Sequence, residues 1–401
     1  MPQLSRKGIL LPARGRRSAW QGPMAAVLVG LNALVCAQVE PPSPTELQTA
    51  TQPIWAVESA QLNPLADLIP RLCDRQVVFI GEQHDRYEDH LTQASIIEGL
   101  LRCGRPVAIG MEMFQQPYQA ALDDYIAGRI DEVELLRRTE YFERWRFDYR
   151  LYRPILALAR KYGIPVIALN LPSELTRKVG DGGIAGLSPE ERTRLPEIDR
   201  SDQEYRARIA AVFQHHPPEQ RRDFEHFLEV QLLWDEGMAE RAARYLAEHP
   251  EHLLVILSGS GHLEFGQGIP KRLGRRLPVA TAILLNGTGR NLDPRAADVF
   301  VYPEAATLPP AGRLGVELAD RPDPKGGMAI KGVAEGSGAD MAGLKAGDRL
   351  LKIAGHRIGD YTDIRLALLD ARPGQRVEIE IARSPLLGPE ESLALEVELR
   401  E

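Results

Sequence analysis

Basic charge is in short supply: 49 Lys and Arg stand against 56 Asp and Glu, a formal net charge of −7. That balance argues against general affinity for nucleic acid or anionic lipid. Long apolar runs are missing too. The run Met24–Val35 falls short of the roughly 20 residues that span a bilayer. Low-complexity tracts and solenoid repeats are absent, which excludes repeat architectures. Cysteine is scarce, three residues in 401, so a disulfide-dense scaffold is excluded and a core must hold the chain together.

What is present begins with a leader. Arg6, Lys7, Arg14, Arg16 and Arg17 carry five positive charges with no acid, and the apolar run comes next. The pattern predicts a secretory signal over residues 1–37, cleaved before Gln38. Cys36 is an alternative lipidation site, although Val35 stands where lipoproteins carry Gly, Ala or Ser. Removing five of the 49 basic residues leaves 44 against 56 acids, a net charge of −12. Cys73 and Cys103 remain, each four residues before a strand centred on Val77 or Val107. If those strands are parallel neighbours, an oxidising compartment permits a disulfide; the alternative is two buried small hydrophobes.

Residues 38–53 are rich in Pro, Thr, Ser and Gln and read as a flexible tether. From 54 to 292 apolar strands alternate with helical patterns, which predicts an α/β domain with a mostly parallel sheet flanked by helices. The stretch Gly180–His216 lacks a strand and reads as a helical insertion or lid. A Pro-rich segment, 293–310, reads as a linker. Residues 311–401 show short β runs around one helix, Tyr361–Ala371, and predict a small mainly-β domain.

Four strands of the first domain end in polar groups. Val77–Ile80 runs into Gly81-Glu82-Gln83-His84, Val107–Met111 into Glu112, Val166–Leu169 into Asn170, and Leu254–Leu257 into Ser258-Gly259-Ser260-Gly261-His262. Such strand ends are where α/β proteins build sites. Imidazole and carboxylate suit Zn, Mn, Fe or haem iron, so Glu82, His84, Glu112 and His262 are candidate ligands. Gln231, Asp235 and Met238 share a flank of a helix predicted over Pro217–His249, which places Asp235 near the site. Tyr141–Phe147 reads either as an aromatic wall for a flat ligand or as a packing elbow. His215, His216, His249 and His252 read as caps or solvated residues.

Ser337–Ile353, with Ala342-Gly343-Leu344 and Gly347-Asp348, resembles the bacterial PDZ signature. By that resemblance Arg313, Leu314, Gly315 and Val316 form the loop that caps a peptide C-terminus, and Ile364 and Leu368 wall its pocket. The module is expected to bind the C-terminal peptide of an envelope partner.

The first domain resembles the ChaN-like haem-binding family of the Tiki superfamily. The matching segments are Gly81–Asp85 with His90 and Gln93, Met111–Phe114, Tyr152–Ile155, Ala168–Pro172, Gln231–Ala239, and Gly259–His262 with Gly268–Pro270. The resemblance implies an exported, periplasmic, iron-uptake-related protein that binds haem, with ligation by a tyrosine and haems stacked across a homodimer. Tyr87, Tyr118, Tyr141, Tyr149, Tyr152 and Tyr205 are the tyrosines on offer, and Tyr152 matches a family position. The expected cofactor-binding set is Glu82, His84, Glu112, Tyr152, Asn170, Asp235 and His262. Attachment through Cys-x-x-Cys-His is excluded because no such run exists.

Two alternatives stand beside that expectation. Tiki-type relatives set a Gly-x-x-His motif around a hydrolytic metal; here His84 and His262 would hold a divalent ion such as Zn, Mn or Fe. Glu82 or Glu112 would take the water proton. Otherwise the α/β domain is a docking scaffold without catalysis, and the PDZ module is the working part.

Overall fold

The computed structural model describes residues 55–58, 61–217, 223–289, 293–385 and 388–401; the expected leader and tether lie outside them. Apolar runs buried on both faces build the centre of an eight-stranded sheet, as parallel strands covered by helices require. Its strands are β1 (Trp55–Glu58), β2 (Gln61–Pro64), β3 (Val77–Glu82), β4 (Val107–Gln115), β5 (Val166–Asn170), β6 (Leu253–Gly259), β7 (Thr281–Asn286) and β8 (Val299–Tyr302). They run in the order β2-β1-β8-β7-β3-β6-β4-β5. The six from β8 to β5 are parallel, and β1 and β2 add antiparallel at one edge.

Alternate side chains feed two cores, since successive residues of a strand face opposite ways. Val78, Ile80, Ile109, Val255 and Leu257 pack under the helices Tyr87–Leu100 and Arg153–Tyr162; Val77, Phe79, Ala108, Leu254 and Ile256 pack under Phe224–Glu248 and Ile269–Arg276. Among the described residues no helix is long and apolar enough to cross a membrane.

Three expectations need correction. The stretch 293–310 is not wholly a linker, because β8 lies in it and pairs with β7 and β1. The run Leu277–Asn286 reads in the sequence as the last strand of the 54–292 stretch, but that strand starts at Thr281, and Leu277 instead closes the helix before it. The strands after Cys73 and Cys103 are not neighbours, since β6 lies between them. The cysteines nevertheless form a disulfide, because Cys73 ends the helix Leu65–Leu72 and Cys103 ends a single turn after Leu100, with Cα atoms 5.3 Å apart. Closing 30 residues stabilises by about 3 kcal/mol. Cys73→Ser with Cys103→Ser is therefore expected to lower the urea midpoint under non-reducing conditions, and an unchanged midpoint would refute that role.

The second sheet holds β9 (Val316–Leu318), β10 (Met328–Val333), β11 (Arg349–Ile353), β12 (His356–Arg357), β13 (Arg376–Arg383) and β14 (Glu391–Glu398), in the order β14-β13-β11-β10-β9 with β12 beside β11. Its helix spans Tyr361–Ala367, capped by Asp360 and Asp363, and is shorter than expected: Leu368 is the cap residue beyond its end. This helix and the turn after it dock the module on the first domain. Arg137 pairs with Asp363 at 2.6 Å and Arg153 with Asp370 at 2.5 Å, Thr362 bonds Glu143, and Arg365 lies over the Phe142 ring. Leu366 and Leu369 join the α/β core.

Candidate functional site at the strand ends

Strand order makes the site. β3 is flanked by β6 and β7, and the next strand in sequence, β4, lies beyond β6. Crevices form at the carboxyl ends where such order switches. The register sets Glu82 beside Gly259 and Met111 beside Leu257, so Glu82, Glu112 and the Ser258–His262 segment arrive together. Between Met111 and Gln115, the stretch that carries Glu112, the pairing of β4 with β5 shifts register.

Glu82, 2% exposed, is ringed by donors. His84 Nδ1 (2.8 Å) and the Tyr152 hydroxyl (3.0 Å) reach Oε1; Gln93 Nε2 (2.8 Å) and His90 Nδ1 (3.4 Å) reach Oε2. Burial opposes its charge, but the charge of His90 and the hydrogen bonds of His84 and His90 outweigh burial and hold the carboxyl well below the usual range. His84 and His90 are pushed up, burial being overcome by Glu82 in both cases and also by Glu112 at His84.

A second unit repeats this plan. His262 Nδ1 meets Asp235 Oδ1 at 2.6 Å, and the Tyr205 hydroxyl donates to Asp235 Oδ2 at 2.7 Å. Burial is outweighed by Glu112 and Asp235, so His262 titrates at about 9. Asp235 is lowered, burial being overcome by His262 and Arg272. The structure thus holds two relays, Tyr152–Glu82–His84 and Tyr205–Asp235–His262. Glu112 acts on both: its Oε1 lies 3.5 Å from His262 Nε2, its Oε2 accepts the Gly259 N–H at 2.8 Å, and its charge helps raise His84.

His84 is the accessible member. Its Nδ1 is committed to Glu82 and its Nε2 makes no hydrogen bond to the described residues, while its ring lies 4.9 Å from each of Trp145 and Phe147, both half-buried. A Cβ at Gly259 would come within 3.0 Å of the imidazole, so glycine makes the room. The Ser258 and Ser260 hydroxyls and Arg208 Nη2 are buried without a hydrogen-bond partner among the described residues. These features fit a group that brings an iron atom, a flat apolar ring and anionic edges: an available imidazole, aromatic edges, and unsatisfied polar atoms.

Several expected residues play other parts. Tyr152 is fully buried, its hydroxyl donating to Glu82 and accepting from Trp145 Nε1 at 3.0 Å, so it is a positioning group rather than an available ligand. Asn170 ties the Glu112 carbonyl at 3.1 Å and the Leu171 N–H at 2.9 Å. Glu82 has no room to accept a water proton. His84 and His262 do not gather with a carboxylate as a compact triad: among the described residues, three imidazole or carboxylate ligand atoms come within 4.8 Å only at His249, Glu251 and His252. His90 and Gln93, one helical turn apart, were legible as motif residues but not as partners of Glu82. Tyr205 comes from the inserted segment, whose helix Gln203–His215 also sends Arg208 to the Gly261 carbonyl.

In the second domain Gly315 has φ +81°, and a Cβ there would meet the Ser337 side chain at 2.2 Å. Leu314 is buried, Arg313 bridges to Arg400, and Val316 opens β9, whose outer edge has no paired strand among the described residues. Ile364 is buried in the core and Leu368 packs on it. The groove wall is made instead by Tyr361 and Arg365, in a cleft of about 1040 Å³ that Phe142, Arg146 and Trp234 close from the first domain.

The family described as haem-binding uptake, Tiki superfamily, ChaN, matches residues 68–273. The chain belongs to this family. A PDZ domain matches residues 312–399. A solved structure described as cofacial heme binding to ChaN of Campylobacter jejuni shares 17% identity, covering 64% of this chain and 98% of its own with a TM-score of 0.52; it shows the shared fold. Protein RETICULATA-RELATED 5, chloroplastic, of Arabidopsis thaliana is 24% identical across 54% of this chain, which spans 31% of that protein. ChaN-family membership and the second match together make this a haem-binding-family protein with a PDZ module.

Proposed function

We propose that this ChaN-family protein is exported, binds haem at the strand ends as part of iron uptake, and recruits an envelope partner through its PDZ module. The carrying observation is His84: an imidazole oriented through Nδ1 by a buried carboxylate, with Nε2 available and Trp145 and Phe147 beside it. Orientation of a ligating histidine by a carboxylate is the usual support for a metal-bound ring. When bound, haem would supply an iron atom as the coordinating and redox-active centre. His84 would hold it, Glu82 would fix the ring, and Trp145 and Phe147 would exclude water from the ring face. Export is supported by the sequence of the leader and by the disulfide, which persists in oxidising compartments. The free edge of β9 supports peptide addition.

Haemin titration followed by visible absorption tests this. Wild type is expected to give a saturable, shifted Soret band. His84→Ala should weaken binding at least tenfold, about 1.4 kcal/mol, while Tyr152→Phe leaves the band position unchanged. Sedimentation of the same samples reads whether haemin joins two copies. Non-saturating absorption indifferent to His84→Ala would sink the reading and favour a chelator-sensitive hydrolase.

A further inference from the structure

The other end of the sheet carries a second set of donors. The helix Phe224–Glu248 ends at His249, and the chain turns through Pro250 and Glu251 to His252 before β6 begins at Leu253. The His252 N–H donates to the His249 carbonyl at 3.1 Å and closes the turn. Side chains from elsewhere tie its carbonyls. Gln76 Nε2 donates to Pro250 (2.8 Å) and His252 (2.5 Å), and the Arg105 guanidinium donates to Glu251 (3.0 Å) and His252 (3.0 Å).

With the backbone committed, three side chains project together. Ligand atoms of His249, Glu251 and His252 all lie within 4.8 Å of one another. Glu251 Oε1 is 3.9 Å from His249 Nδ1 and 3.7 Å from His252 Nε2, too far for hydrogen bonds. The imidazoles stack at 5.2 Å. The backbone, rather than bonds among the three groups, therefore holds them in one place. Tyr245 supplies the outer contact, its hydroxyl oxygen 2.7 Å from His252 Nδ1. With Nδ1–H donated to that oxygen, Nε2 keeps its lone pair toward Glu251, which is how ligating histidines are normally oriented.

We propose that His249, Glu251 and His252 form a binding site for a borderline first-row divalent cation, Zn²⁺ or Ni²⁺, with Tyr245 as a positioning residue. Two imidazole nitrogens and one carboxylate oxygen suit such ions, whereas Ca²⁺ and Mg²⁺ call for more oxygens. Half-buried imidazoles and an exposed carboxylate leave water room to complete the coordination. The site is separate from the strand-end site. The seven residues of β6, at roughly 3.3 Å each, put about 20 Å between them.

Calorimetric titration of the full chain with ZnCl₂ and with NiCl₂ tests the proposal. One saturable site is expected. Affinity should fall at least tenfold in His249→Gln and in Glu251→Gln and severalfold in Tyr245→Phe, with far-ultraviolet circular dichroism unchanged and with His84→Ala without effect. Glu251 is exposed, so its substitution leaves the fold intact and keeps the test decisive. Absence of saturable uptake, uptake that survives Glu251→Gln undiminished, or uptake lost in His84→Ala would each overturn it.

Discussion

Glu82→Ala is expected to lower the free energy of unfolding by about 3–5 kcal/mol, the cost of removing one partner from a buried charge network. The size reflects what the carboxylate holds. His84, His90, Gln93 and Tyr152 all direct hydrogen to it, and His90, Gln93 and Tyr152 are buried too deeply for water to replace it. Glu82→Gln keeps the shape but removes the charge that raises His84 and His90, so its cost should be smaller. Urea unfolding at pH 7 reads the difference. A loss under about 1 kcal/mol in the alanine variant, no more than an ordinary hydrogen bond contributes, would mean that the ring of donors is not held by Glu82. The same variant should weaken haemin binding as strongly as His84→Ala, because a freed imidazole no longer presents Nε2.

Stability should also fall as pH rises from about 6.5 to beyond 9. His262 titrates at about 9 in the fold, against 6.5 when unfolded. Below 6.5 the imidazolium exists in both states and its attraction to Glu112 and Asp235 counts in full. Between the two values the unfolded chain releases the proton while the folded chain keeps it. Above 9 both are neutral and the contribution is gone, a change on the order of 3 kcal/mol. His84 and His90, also raised, act in the same direction. Denaturant midpoints measured from about pH 6 to 10 should decline, and His262→Asn should flatten the decline while lowering the whole curve. A wild-type curve level over that range would contradict the charged His262.

Much of the site was legible because its residues sit at strand ends. Val77–Ile80 and Leu254–Leu257 are continuous apolar runs that only a buried parallel strand explains, and the residues just beyond each run must lie at the sheet's edge. Glu82, His84, Glu112 and His262 were found that way. Their roles were not, because a role depends on partners from distant segments. Nothing local to Tyr152 distinguishes a ligand from a hydroxyl spent on Glu82, 70 residues away. Tyr205 reaches Asp235 from an insertion, and spacing within a strand or helix carries no sign of that. The segment 293–310 misled for a related reason: its prolines signal a break, but β8 fits between them by pairing with both a parallel and an antiparallel neighbour.

The sequence by itself determined the two fold classes, the polar strand ends and the family motifs, since burial periodicity and turn chemistry are local properties. Only the tertiary structure decided that β6 separates β3 from β4, that Cys73 and Cys103 still meet, and that two tyrosine–carboxylate–histidine relays form with the Glu112 charge raising both histidines. Those outcomes rest on strand order and on contacts between segments far apart in the chain, which are fixed when helices and strands pack rather than when each forms.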